Sequence, residues 1–204
     1  MIIVVYGLCF FAIWTVYELY IKTLIDSKLL QDGVIKTIVW VLPAMLLVHA
    51  LKDDVQVALK EMFVTKVRWR RYLWVYALLA VWALLGGLLQ QGGLIFALNA
   101  DELIVVLFVG ITEEMVFRGW LLNATVNDLP KWLAILINAV LFMAVHFPRL
   151  IQEGAFLSSF TSLGNAGIMV LSAIFSISFI KSKNLLIPIT MHMLYDLLAF
   201  AFLA

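Results

Sequence analysis

Charged side chains are scarce in this chain, at 13% of its 204 residues, where a soluble domain usually carries about 25%. That deficit excludes an ordinary water-soluble domain. The net charge of +1 says nothing of partners, because in a membrane protein the distribution of charge matters more than its sum, and no nucleic acid is expected. Cysteine is nearly absent. Cys9 stands alone, which excludes an internal disulfide, and with no histidine close to it in sequence it reads as a small core or lipid-facing residue. Internal repeats are missing, and with them the signature of many secondary transporters. The apolar N-terminus has no basic stretch ahead of it and fits a first span better than a cleavable signal peptide.

What the chain has in abundance is apolar surface: 65% hydrophobic residues and a mean hydropathy of +1.07. This length leaves room for several spans of ~20 residues and little for a soluble domain besides. The expected fold is an all-α, polytopic transmembrane helical bundle, a single integral membrane domain over 1–204. Hydropathy places about seven spans at roughly 1–21, 34–51, 72–90, 101–122, 131–147, 163–181 and 184–204. The breaks fall at Gly92-Gly93, Asn127 to Pro130 and Gly154 to Gly164.

Lys and Arg orient the bundle. Lys52, Lys60, Lys66, Arg68, Arg70 and Arg71 fill the segment after the second span; Lys131, Lys181 and Lys183 fall on the same side, against Lys22, Lys28, Lys36 and Arg149 on the other. The positive-inside rule therefore puts the N-terminus and the 52–71 segment in the cytoplasm, and the site is expected to open toward that compartment. Val55, Leu59, Met62 and Phe63 recur at helical spacing, which suggests an interfacial helix on the inner leaflet.

Against this background Glu113, Glu114 and Arg118 stand out, three ionisable groups within six residues of a span. Charge in the bilayer is costly and marks functional candidates. Glu114 and Arg118 are four residues apart on a helix and can pair. Glu113 points elsewhere and has no local partner, so it is free to act as a base. The same three residues would equally serve as an ion cluster tying helices together. Later spans add His146, just before Pro148, and His192 with Asp196 four residues on. At ~1.5 Å per residue these groups and Glu113 reach similar depths, which favours one shared site. Glu113 with the histidines could bind and deprotonate a water, the general-base arrangement of hydrolysis. His49 and Glu18 read as interfacial or paired residues outside that site. Other intramembrane chemistries lack their motifs: HExxH, Gly-x-Ser-Gly and Gly-x-Gly-Asp do not occur, and Cys9 has no triad around it.

Glu113-Glu114-x-x-x-Arg118, Phe142-x-x-x-His146 and His192-x-x-x-Asp196, in that order within apolar segments, resemble the three motifs of the CPBP family, the type II CAAX prenyl proteases and bacteriocin-processing (ABI) proteins. The resemblance covers about 70–204, while the first two spans add nothing diagnostic. It implies an intramembrane glutamic endopeptidase in which Glu113 and His146 activate water, His192 and Asp196 stabilise the oxyanion, and Glu114 and Arg118 support them. Prenyl-processing members usually carry asparagine where this chain has Asp196. An amide donates to an oxyanion and an ionised carboxylate repels it, so Asp196 acts protonated or serves to orient His192. The short chain looks more like the prokaryotic branch of the family, in a plasma membrane.

The expected function is therefore metalloprotease-like hydrolysis of a peptide bond in a membrane-associated peptide or protein. The alternative is a non-enzymatic immunity or scaffold protein of the same fold. No cofactor is expected; were zinc present, Glu113, His146 and His192 would be its ligands.

Overall fold

The computed structural model describes residues 2–91, 96, 98–162 and 164–203, and every regular element among them is helical. Seven rods run in sequence: α1 (Ile3–Leu24), α2 (Leu29–Ala50), α3 (Leu73–Gln91), α4 (Ala100–Glu114, continued by Met115–Leu122 and Asn123–Thr125), α5 (Lys131–Gln152), α6 (Gly164–Ser182) and α7 (Leu186–Leu203). Four of them, α1, α2, α5 and α6, are long and apolar enough to cross a membrane. The 22 residues of α1 reach about 33 Å at the helical rise, slightly more than a hydrocarbon core. Helices α3 and α7 are apolar but shorter in the described residues. Helix α4 is set apart by Asp101, Glu102, Glu113, Glu114 and Arg118. Large apolar side chains such as Leu8, Leu46, Trp74, Leu107 and Trp132 point outward, as a surface facing lipid requires.

Helix α2 begins at Leu29, ahead of the expected residue 34. Asp32 and Lys36 depress the local hydropathy, yet both are buried and lie within 3.9 Å of each other. The turns around them, Leu29–Ile35 and Thr37–Val41, are wound as π-helix. So is Met115–Leu122, which follows the paired glutamates; such widened turns are frequent at functional sites. Asn138 of α5 reaches across to donate to the Phe117 carbonyl at 2.7 Å and accepts from Ser176 of α6 at 3.2 Å. Cross-helix bonds of this kind matter where no water is present to satisfy the backbone. The start of α4 is fixed by a capping box: the Asn99 side chain accepts from the Glu102 amide and Glu102 accepts from the Asn99 amide.

Packing divides into two apolar clusters with the polar residues between them. One joins α1, α2, α4 and α5 through aromatic edges, with Trp40 at 4.8 Å from Phe10 and 4.6 Å from Trp14, and Phe117 at 5.0 Å from Phe142. The other joins α3, α6 and α7 through Leu79, Phe175, Ile187 and Met191.

The expected interfacial helix at 55–63 is not found. Only Glu61–Val64 is helical there, Val57 and Met62 are buried, and the segment is bonded to the bundle. Asn123 exchanges two hydrogen bonds with Val57 (2.9 and 2.8 Å), and the Leu185 amide donates to the Met62 carbonyl at 2.8 Å. Apolar periodicity over 55–63 reflects burial against protein, not against headgroups.

Two glycines set how closely α7 approaches its neighbours. A Cβ on Gly87 would lie 2.5 Å from the Phe202 carbonyl oxygen, and one on Gly110 would lie 2.7 Å from Met193 Cγ. Since a backbone atom cannot give way cheaply, Gly87→Ala is expected to destabilise the protein by about 1–3 kcal/mol. Gly7→Ala, with nothing within 4 Å, should leave stability unchanged. Thermal unfolding of both variants in detergent checks the contrast.

Candidate active site

Glu113, His146, His192 and Asp196 line one cavity of about 580 Å³, so the four residues singled out from three separate spans are brought together. Their helices reach it in different ways. Glu113 and Glu114 end the regular α-helical part of α4. His146 sits at a break in α5 between Lys131–Ala144 and Phe147–Gln152, where Pro148 lacks the amide that would continue the ladder. Trp14 of α1 donates to the carbonyl of Val145 at this break, at 3.2 Å. The His146 Nδ1–H donates to the Phe142 carbonyl at 2.8 Å, an assignment that leaves Nε2 with its lone pair. His192 lies on α7 between aromatic faces, 5.0 Å from the Phe175 ring and 5.9 Å from that of Phe142.

The two glutamates have different surroundings. Glu114 is fully buried and its Oε1 accepts from Arg118 Nη1 at 2.8 Å and from His192 Nδ1 at 2.9 Å. Arg118 is held further by the Ser172 carbonyl and hydroxyl, at 3.0 and 2.7 Å, and lies 4.5 Å from the Phe142 ring. The expected i,i+4 pair is present, and it also fixes an imidazole. On the other side of that ring, His192 Nε2 is 3.4 Å from Asp196 Oδ2, the spacing that lets Asp196 orient it.

Glu113 differs from expectation. Its Oε1 accepts from Lys36 Nζ at 3.2 Å, while its Oε2 is buried without a hydrogen-bond partner among the described residues. Lys36 comes from α2, a span that carried no diagnostic residue in the sequence; it fell inside the expected 34–51 span and was counted with the charges on the side opposite the basic segment. It is instead 5% exposed, 4.8 Å from the Trp40 ring and 5.2 Å from that of Trp14. The signal that could have found it is Asp32 four residues before it, an i,i+4 pair of opposite charge at the edge of an apolar run. Glu18 is paired as expected, with Lys22 at 2.5 Å, but it also lines the cavity. His49 does not.

The mouth of the cavity is the second correction. Lys22, Lys28, Asn99, Asp101, Arg149 and Glu153 surround it, at the ends of α1, α4 and α5 opposite the basic 52–71 segment. The bonds from that segment to Asn123 and Asn184 tie it to the far end of the bundle. The site therefore opens away from the basic end, not toward it. Hydropathy gave the depth of each residue but not which side the cavity is hollowed from.

Glu113, His146 and His192 do not fit zinc. Among the described residues no three His, Cys, Asp or Glu side chains are grouped as a metal would need. The Glu113 oxygen that is bonded faces an ammonium, and His192 faces a carboxylate at each nitrogen.

Glu114 holds two cationic or donor partners in an apolar setting, so its loss should be structural. Glu114→Gln is expected to lower stability by ~3–5 kcal/mol, because it strands Arg118. Adding Arg118→Met should recover part of that loss. Abundance in the membrane fraction and the unfolding midpoint of the single and double variants measure both effects.

Comparison with curated proteins and with solved structures gives no match. One family model does match, that of the Rce1-like type II CAAX prenyl endopeptidases, over residues 74–198. The match takes in α3 to α6 and most of α7, including all three motifs, and leaves α1, α2 and Lys36 outside. It covers more than half of the 204 residues, and the chain accordingly belongs to the Rce1-like type II CAAX prenyl endopeptidase family, a family of membrane proteases.

Proposed function

We propose that this protein is an intramembrane endopeptidase that cleaves a membrane-associated peptide or protein by a glutamate-activated water, without an essential metal. The observation that carries this reading is the meeting, in one cavity between membrane helices, of two imidazoles with a carboxylate that keeps one oxygen free of partners. In this reading Glu113 Oε2 takes the proton from water and His146 Nε2 helps to hold that water. His192 is kept in place by Glu114 on one side and Asp196 on the other. A base positioned in this way contributes about 10²–10⁴-fold to rate.

Glu113→Gln is nearly isosteric and cannot accept the proton. It should leave protein abundance near wild type and lower cleavage by at least ~10²-fold. Membrane proteomes of cells carrying wild type and Glu113→Gln should then differ by precursors that accumulate uncleaved in the variant. A strong chelator added to the purified protein should leave cleavage intact. Identical proteomes would sink the enzymatic reading, and activity lost on chelation and restored by zinc would sink the metal-free one.

Nine Lys and Arg residues stand at the end opposite the cavity mouth. Under the positive-inside rule that end is cytoplasmic, together with the N-terminus. The mouth then faces the other compartment, and the substrate presents its scissile bond from there. In a Cys9→Ala background, Lys28→Cys should react with a membrane-impermeant maleimide in intact cells, and Lys66→Cys only in inverted vesicles. The reverse pattern turns the protein over in the membrane.

A further inference from the structure

Lys22, Lys28, Asn99 and Arg149 stand at the mouth. Deeper in, the side-chain donors are Lys36, His146, His192 and the indoles of Trp14 and Trp40, of which the first is bonded to the Val145 carbonyl and the second carries no charge to answer an oxyanion's. The His146 Nδ1–H is committed to the Phe142 carbonyl. The His192 Nδ1–H is committed to Glu114, and its Nε2 faces the Asp196 carboxylate at 3.4 Å. Asp196 itself is a carboxylic acid group that, when ionised, would oppose a second negative charge. Arg118 is fully buried behind Glu114, bonded to it and to Ser172, and does not line the cavity. Lys36 remains. Its ammonium has three N–H groups. One is bonded to Glu113 at 3.2 Å, while the Asp32 carboxylate lies at the longer 3.9 Å. The rings of Trp14 and Trp40 flank the ammonium, and the side chain lines the cavity beside Glu113.

From this arrangement we infer that Lys36 is a catalytic residue, the oxyanion donor of the reaction in which Glu113 is the base. The inference rests on the endopeptidase reading above. Water oxygen bonds to the carbonyl carbon, the C=O π pair moves onto oxygen, and the water proton passes to Glu113 Oε2. The negative charge that Lys36 faced on Glu113 has then moved to the substrate oxygen, and the same ammonium faces it there. On collapse the C=O reforms, the C–N bond breaks, and the Glu113 proton leaves with the amine. A donor of this kind that strengthens only as charge develops acts on kcat more than on KM.

The test uses full-length protein in detergent micelles with a pool of N-acylated, internally quenched decapeptides, followed by a single peptide resolved from that pool. Lys36→Met should lower kcat by ~10²–10³-fold with KM within about threefold of wild type. Lys36→Arg, which keeps the charge and the donors, should recover at least a tenth of the wild-type rate. A phosphinate analogue of the cleaved peptide should lose affinity in step with kcat across wild type, Arg and Met, a correlation that a purely structural lysine would not produce. Lys36→Gln, which can still donate to Glu113, replaces Met if the latter does not accumulate. A neutral variant with kcat within threefold of wild type overturns the assignment while leaving the endopeptidase reading intact. So does failure of both neutral variants to fold, which makes Lys36 structural. If wild type cleaves nothing in the pool while Glu113→Gln cells accumulate no precursor, both readings fall together.

Discussion

A carboxylate held away from water needs a countercharge close by, and the arrangement of this bundle follows from supplying two of them. Glu114 is answered locally, by Arg118 one turn on, and then from α7 by His192. Glu113 is answered at long range, by Lys36 from α2. Neither pair is a surface ion pair, whose worth is small; Glu114 and Arg118 are fully buried, where removing one partner strands the other at a cost of several kcal/mol, while Glu113 and Lys36 line the cavity. Much of the polar detail serves these two pairs. Ser172 accepts from Arg118 Nη2 with its carbonyl and its hydroxyl, Asn138 satisfies a carbonyl of the widened turn that carries Arg118, and the tryptophans of α1 and α2 flank Lys36.

The sequence was most informative where chemistry repeats at helical spacing. Glu114 with Arg118 and His192 with Asp196 are separations of four, so their meeting could be read from the chain, and the match of depths across α4, α5 and α7 brought His146 into the same site. The seven rods followed from hydropathy. What could not be read was anything set by contacts across long stretches of chain. Lys36 and Glu113 are 77 residues apart, and although Lys36 fell within the expected 34–51 span, nothing local linked a charge near the start of that span to a carboxylate in α4. The 55–63 periodicity was real but ambiguous, since a protein neighbour and a membrane surface select the same pattern. The side on which the cavity opens depends on how the helices splay, and no local pattern encodes that.

The protein thus divides functionally in a way that its family match does not. Residues 74–198 carry Glu113 and both imidazoles, yet Glu113 finds its countercharge in α2, and the mouth is walled partly by α1. A fragment limited to the matched region would retain every motif and leave Glu113 buried beside an empty half-shell. Substitutions in α1 and α2 at Trp14, Trp40 or Asp32 are, on this view, changes to the surroundings of Lys36 and Glu113.

Helix α3 adds a constraint of a different kind. Its apolar stretch, Leu73–Leu89, lies between Arg71 and Gln90 and carries outward-facing Trp74, Val81 and Leu85. The whole helix, Leu73–Gln91, has 19 residues and is about 28 Å long at the helical rise, close to a hydrocarbon thickness of ~30 Å. The close approach at Gly87 fixes α3 to α7, which restricts any independent tilt of either helix. A span this close to the hydrocarbon thickness leaves little length to spare, so a thicker bilayer would have to thin along this flank. Such thinning would draw headgroups and their hydration inward beside the helix that bears His192. The depth of the site is accordingly a property of protein and lipid together, and membranes of different thickness would present this protein with different distances to water.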